Sequence, residues 1–123
     1  MPNMKKFLLS FLYAGRGAIT LIASERNMRI HVSAALMVVA FGAYFSITVT
    51  EWCLVILCIG IVVAAEAFNT VIESLTNLVK PEHHPLAGKI KDMAAGAVLL
   101  AALAAAIVGA LIFWKYLFPD APA

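Results

Sequence analysis

The sequence predicts an all-α membrane protein: one amphipathic helix at the membrane surface, then three transmembrane helices. Three observations carry this. Long runs of the chain hold no formal charge, the charges gather between those runs, and no run alternates with the period of two that a half-buried strand needs. The 123 residues are 63% hydrophobic and 13% charged, against about 45–50% and about 25% in an ordinary soluble domain. That balance excludes a disordered chain and most soluble folds. A formal charge of +2 gives no basic footprint for a nucleic acid. The length suits one domain, read as residues 1–123.

The surface helix comes first, at about 4–24. Lys5 and Lys6 lead into a segment that mixes Phe7, Leu8, Phe11, Leu12, Ile19 and Ile22 with Ser10, Arg16, Thr20 and Ser24. Such a helix lies in the interface with its apolar face in the acyl boundary. A basic start without a short apolar core and a cleavage site is not a secretory signal. Gly15 and Gly17 weaken the helix. The transmembrane helices follow at about 31–49, 52–72 and 93–116, because a core of about 30 Å takes about 20 apolar residues. The second span is complete only if Glu66 lies inside the membrane zone. Ala fills the third, which argues against strand.

Connections and orientation follow from the charges. Pro81 and Pro85 are expected to stop the second span and delay the next, giving a loop of about 75–91. Asp92 then suits the positive end of the last helix. Lys5, Lys6, Arg16, Arg26 and Arg29 precede the first span, and Lys80, Lys89 and Lys91 lie in the second loop. The 46–51 turn carries Glu51 and no base. By the positive-inside rule the N-terminus and second loop are cytoplasmic, with the turn and the 119–123 tail outside.

Several features invite a chemical reading. Cys53 and Cys58 are neither a CxxC pair nor beside other ligands, so they read as small apolar residues. His83 and His84 follow Glu82, but adjacent residues rarely share one ion, and a polar loop is the plain alternative. Neither GxxxxGK[ST] nor GxGxxG occurs. Small residues recur at Ala97, Ala101, Ala105 and Gly109, and again at Ala102, Ala106 and Ala110. Such stripes let membrane helices approach closely and predict association.

The sharp signal is EAFNTVIE at 66–73. Positions 66, 69, 70, 73 and 77 share one helical face, which reads Glu, Asn, Thr, Glu, Asn. A carboxylate inside a membrane helix costs about 2.5–3.5 kcal/mol on insertion scales. Every Lys and Arg flanks the apolar runs, so a plain salt bridge at that depth lacks a basic partner. A second cluster, ERNMRIH at 25–31, stands at the cytoplasmic entry to the first span. Its Glu25 and Arg29 are spaced for a simple surface pair or for function. Lys91 and Asp92 form a third cluster at the same level. Carboxylates from two helices, with Asn and Lys nearby, suit phosphoryl transfer, which needs metal on the phosphates, cations on the developing charge and a base for the nucleophile. Glu25 and Glu73 can hold Mg²⁺, which takes one or two carboxylates plus phosphate oxygens. Lys91 can reach a phosphate, and Glu66 can take a proton from a hydroxyl held near the interface by its lipid tail.

Four stretches, YAGRG (13–17), ERNMRIH (25–31), EAFNTVIE (66–73) and KDMAAGAV (91–98), give the chain a family likeness. It resembles the prokaryotic diacylglycerol kinase/undecaprenol kinase family of small integral-membrane lipid kinases, over about 5–118. The ExxNTxxE and KDxxA motifs together are highly specific. The resemblance implies an ATP- and Mg²⁺-dependent kinase of a lipid alcohol in a bacterial inner membrane. It also implies a homotrimer whose active sites lie at the cytoplasmic boundary and are shared between subunits.

By position, Glu66 matches the family's catalytic base and Asn69 the polar residue near the reacting groups. Glu25 and Glu73 match the metal carboxylates, which also meet the nucleotide. Lys91 and Asp92 match the phosphate end. Lys6 and Tyr13 fall where the surface helix meets nucleotide, and Glu82, His83 and His84 in the loop covering it. Arg29 and His31, with Glu66, fall on the lipid-substrate side. Two departures stand out. The diacylglycerol kinase branch has an acidic residue where this chain has His31, and many members have Asp where this chain has Asn77. The 25–31 stretch favours undecaprenol as substrate, with diacylglycerol as the alternative. A third reading, from another class, is a small accessory or ion-conducting protein whose carboxylates line a water path. Against it, polar residues gather on the cytoplasmic side and the last span is apolar throughout.

Overall fold

Four helices make up the protein: α1 (Met4–Ser24), α2 (Arg26–Phe45), α3 (Val49–Val79) and α4 (Pro85–Leu117). The structure, a computed structural model, describes residues 3–120; the end of the expected outer tail, 121–123, lies outside the described residues. By length and composition all four helices are apolar enough to cross a membrane.

Asn3 caps α1, its Oδ1 accepting from the Lys5 N–H at 3.0 Å. The helix runs unbroken through Gly15 and Gly17 and buries none of its residues. A single extended residue, Glu25, separates it from α2. Helix ends leave carbonyls without partners. Here the Arg29 guanidinium reaches back and donates to the Ile22 and Ala23 carbonyls at 3.2 and 2.7 Å. Arg29 thus ties the bend between α1 and α2, and does not form the surface pair with Glu25 that its spacing allows.

The turn from α2 to α3 is tighter than its charge pattern implies. Ser46 closes α2 in the left-handed conformation (φ 52°), a common helix ending. Thr48 then opens α3 through a capping box with Glu51, satisfying two orphan donors reciprocally. Glu51 therefore belongs to the first turn of α3, not to the connecting turn. It also accepts from the Tyr116 hydroxyl at 2.6 Å and pairs with Lys115 at 3.0 Å, tying the start of α3 to the end of α4. Ile47, Val55 and Ile112 form the small core beneath.

The second loop is much shorter than expected. His84 caps α4, its Nδ1 accepting from the Leu86 N–H at 3.1 Å, and Pro85 is the first helical residue. Proline suits that position, since its missing N–H would have no partner and its φ is already helical. So Pro85 starts the helix it was expected to delay. In consequence Asp92 stands about two turns inside α4, beyond the reach of the helix-end dipole.

The helices meet along seams spaced alternately three and four residues, the pattern of left-handed helix packing. On α2 the buried or half-buried positions include Met28, His31, Ala35, Val38, Gly42 and Phe45. On α3 they include Val55, Ile59, Val62, Glu66 and Asn69. On α4 they run Ala87, Lys91, Ala94, Val98, Ala101, Ala105, Val108 and Ile112. The packed face of α4 takes in Ala101, Ala105 and Gly109 of the first predicted stripe and Ala102 of the second, without following either stripe throughout. At 3.6 residues per turn the stripes drift off the seam, and Ala97, Ala106 and Ala110 end up exposed.

Candidate active site

Two seams each carry one titratable side chain at the same depth. Along antiparallel α2 and α3, His31 and Glu66 lie at matching distances from the turn and face each other, Nε2 to Oε2 at 3.6 Å. The Glu66 side chain is 3% exposed and that of His31 23%. The separation exceeds a hydrogen bond and is an ion-pair distance only when the imidazole carries a proton. Asn69 stands one turn on from Glu66 and Glu73 two turns on, on the same side of α3, while Glu25 lies at the bend that precedes α2. Carboxylates from the α1–α2 bend and from α3 thus converge on one end of the bundle. Exposure rises along the predicted polar face, from buried Glu66 through half-buried Asn69 and Thr70 to exposed Glu73 and Asn77.

Glu25 is the N-cap residue of α2, yet its side chain makes no capping bond. Its carboxylate is thus free of helix duty. Glu25 and Glu73 supply hard oxygen donors of the kind Mg²⁺ takes, with the remaining positions left to phosphate and water. Among the described residues no group of three or more His, Cys, Asp or Glu gathers as a complete cage. A two-carboxylate donor set fits Mg²⁺ carried by a nucleotide rather than an all-protein site.

The remaining predicted residues are spread more widely. Lys91 lies on the packed seam of α4, half-buried, while Asp92 is exposed on the neighbouring face. Lys6 and Tyr13 are exposed on α1, with the Arg16 guanidinium 5.8 Å from the Tyr13 ring. In the loop, His84 is engaged as a cap and Glu82 pairs with Lys80 at 3.1 Å. The Glu82 backbone N–H and the Lys80 ammonium hold that carboxyl below the usual carboxylate range. Among the described residues, no hydrogen bond or ion pair joins Lys6, Tyr13, Arg29, Glu82, His83, Lys91 or Asp92 to Glu66.

An apolar cavity of about 290 Å³ extends from His31 between α2, α3 and α4 towards Val55 and Gly109. Ala34, Ala35, Ala102 and Ala105 keep it open. A second, of about 400 Å³, lies between the end of α3 and the start of α4, with Lys80 and His84 on its wall. The family resemblance put His31 and Glu66 on the same lipid-substrate side, but sequence reasoning missed their direct contact. Counting back from the turn on both helices was the signal that finds it. The Glu51–Tyr116–Lys115 cluster was missed too, although Thr48 and Glu51 carry a capping-box spacing.

Residues 12–113 match the family described as prokaryotic diacylglycerol kinase. The chain is 40% identical over 111 residues to an undecaprenol kinase of Bacillus subtilis, covering 90% of each chain. It is 39% identical over 109 residues to a diacylglycerol kinase of Synechocystis, covering 88% of this chain and 61% of that one. The diacylglycerol kinase of Escherichia coli K12 is 27% identical over 104 residues, 85% of each. The chain belongs to the prokaryotic diacylglycerol kinase family. It is therefore a lipid kinase that uses ATP, embedded in a bacterial membrane. This sets aside the accessory or ion-conducting reading.

Proposed function

We propose that this chain is an undecaprenol kinase, transferring the γ-phosphoryl group of ATP to the lipid hydroxyl and releasing ADP. The observation that carries the reading is Glu66, a carboxylate 3% exposed within an apolar helix and facing His31. The relation to the Bacillus subtilis undecaprenol kinase over 90% of the chain favours undecaprenol over diacylglycerol.

In this reading Glu66 is the general base. As the lipid oxygen attacks the γ-phosphorus, its proton passes to the Glu66 carboxylate and the bond to the β–γ bridging oxygen breaks. Asn69 steadies Glu66 and the reacting hydroxyl. Glu25 and Glu73 hold Mg²⁺, which when bound neutralises charge developing on the phosphates. Lys91 and Asp92 serve the phosphate end. Lys6, Tyr13, Glu82, His83 and His84 flank the nucleotide, and Arg29 and His31 the lipid. The apolar cavity beside His31 suits a hydrocarbon tail whose hydroxyl lies at Glu66.

Residues 1–123 form one kinase domain. α1, which buries nothing within the chain and mixes polar with apolar faces, lies on the cytoplasmic surface, and α2, α3 and α4 span the membrane. The N-terminus and the α3–α4 loop are cytoplasmic and the C-terminus is outside. Three copies assemble, so that nucleotide residues remote from Glu66 in one chain complete a neighbour's site.

The test is a radiolabelled-ATP assay offering undecaprenol and diacylglycerol in the same bilayer. Undecaprenol phosphate is the expected product, and Glu66→Gln abolishes turnover while the assembly survives. Preferential labelling of diacylglycerol would reassign the substrate. Wild-type turnover in Glu66→Gln would remove Glu66 as base.

A further inference from the structure

The base assigned to Glu66 leaves one proton unaccounted for. After each transfer the carboxyl is protonated and buried, and it has to lose that proton before it can act again. Bulk water has little access to a side chain that is 3% exposed. The single titratable side chain within ion-pairing distance among the described residues is His31. It comes from a different helix, is itself 23% exposed, and lines the mouth of the apolar cavity. Around the pair, α2 contributes His31, with Glu25 just before its start. α3 contributes Cys58 along the cavity wall and Glu73 towards the cytoplasm, and α4 presents only small and aliphatic side chains to the cavity. No Lys or Arg forms an ion pair with Glu66 among the described residues.

Resting on the reading of Glu66 as base, we infer that His31 is the proton acceptor behind it, clearing Glu66 after each phosphoryl transfer. The substrate O–H proton goes to a Glu66 carboxylate oxygen as the lipid oxygen bonds to phosphorus. That proton then moves from Glu66 to the neutral His31 Nε2, restoring the carboxylate and leaving an imidazolium. The imidazolium releases it from its exposed edge to water. The 3.6 Å gap is of the size that closes when a substrate seats, since catalytic hydrogen bonds are often long beforehand. His31 acts through Glu66 and so is a positioning residue.

Two variants test this in bilayers, with steady-state kinetics in both substrates. His31→Ala removes the imidazole, and His31→Gln keeps a hydrogen-bond donor that cannot carry a proton. Both are expected to lose about 10²-fold or more in kcat, the lower range of acid–base contributions, with KM for ATP within about twofold; a rise in lipid KM alone reports the contact of His31 with the lipid and not the relay. Added imidazole is expected to restore turnover in His31→Ala but not in Glu66→Gln. Wild-type kcat in His31→Gln, or a raised lipid KM with kcat intact, overturns the relay and leaves His31 as a packing or substrate-binding residue. If His31→Ala fails to fold, His31→Gln decides alone. Active Glu66→Gln would sink the base itself, whereas inactive Glu66→Gln beside fully active His31 variants would sink only the relay.

Discussion

A methyl group placed on Gly42 would lie 2.7 Å from the Trp52 ring and 3.1 Å from Ile47. Gly42→Ala therefore forces the ring aside or parts α2 from α3, at about 1–3 kcal/mol for overpacking. That offsets or exceeds the roughly 1 kcal/mol by which Ala outranks Gly in a helix. Thermal unfolding in detergent should show Gly42→Ala less stable than Gly60→Ala, because a methyl at Gly60 meets nothing within 4 Å. Equal melting temperatures would show that Trp52 yields freely. Chemistry at this scale was more legible than packing. Glu66, Asn69 and Glu73 announced themselves as polar groups in an apolar run, whereas the tight approach at Gly42 depends on a ring from another helix. Glu73 also carries a prediction: Glu73→Ala should lower activity and weaken its response to Mg²⁺, and an unchanged Mg²⁺ titration would take Glu73 out of metal binding.

The helices themselves show why their ends were harder to foresee than their existence. Apolar runs mark the stretch that lipid accepts, and a helix continues past that stretch wherever a cap satisfies its last groups. Thr48 with Glu51 starts α3 before its apolar run, and His84 with Pro85 starts α4 before the run at 93. The bend between α1 and α2 rests on the two bonds from Arg29. Arg29→Ala is expected to speed amide hydrogen exchange at the C-terminal turn of α1 while leaving α3 and α4 protected. Unchanged exchange there would mean the bend holds without it. Seam positions follow the same logic: the spacing of three and four residues is set by helix geometry, so His31 and Glu66 fall on facing seams once the turn is located.

For the molecule as a whole, the bundle leaves large apolar side chains exposed on every helix, among them Phe11, Leu36, Leu57 and Leu100. Lipid and neighbouring copies are the available cover. If three copies share their sites, native mass spectrometry should find three times the 13.2 kDa chain mass. Asp92 is exposed in its own chain, so if it serves a neighbour's site, subunits carrying Glu66→Gln mixed with subunits carrying Asp92→Asn should recover turnover that neither variant has alone. No recovery would confine each site to one chain. One feature of α3 bears on a problem common to all kinases of alcohols. Water is a hydroxyl nucleophile too, and is far more abundant. With 31 residues at about 1.5 Å each, α3 is roughly 46 Å long, against a hydrocarbon core of about 30 Å. Glu73 and buried Glu66 stand two turns apart on it, about 10 Å along the axis. In the proposed arrangement the nucleotide end sits in the aqueous phase and the base within the membrane. Rejection of water then comes from solubility rather than recognition, and ATP should stay intact when no lipid acceptor is present. Phosphate release without lipid, measured against turnover with it, reads that selectivity directly.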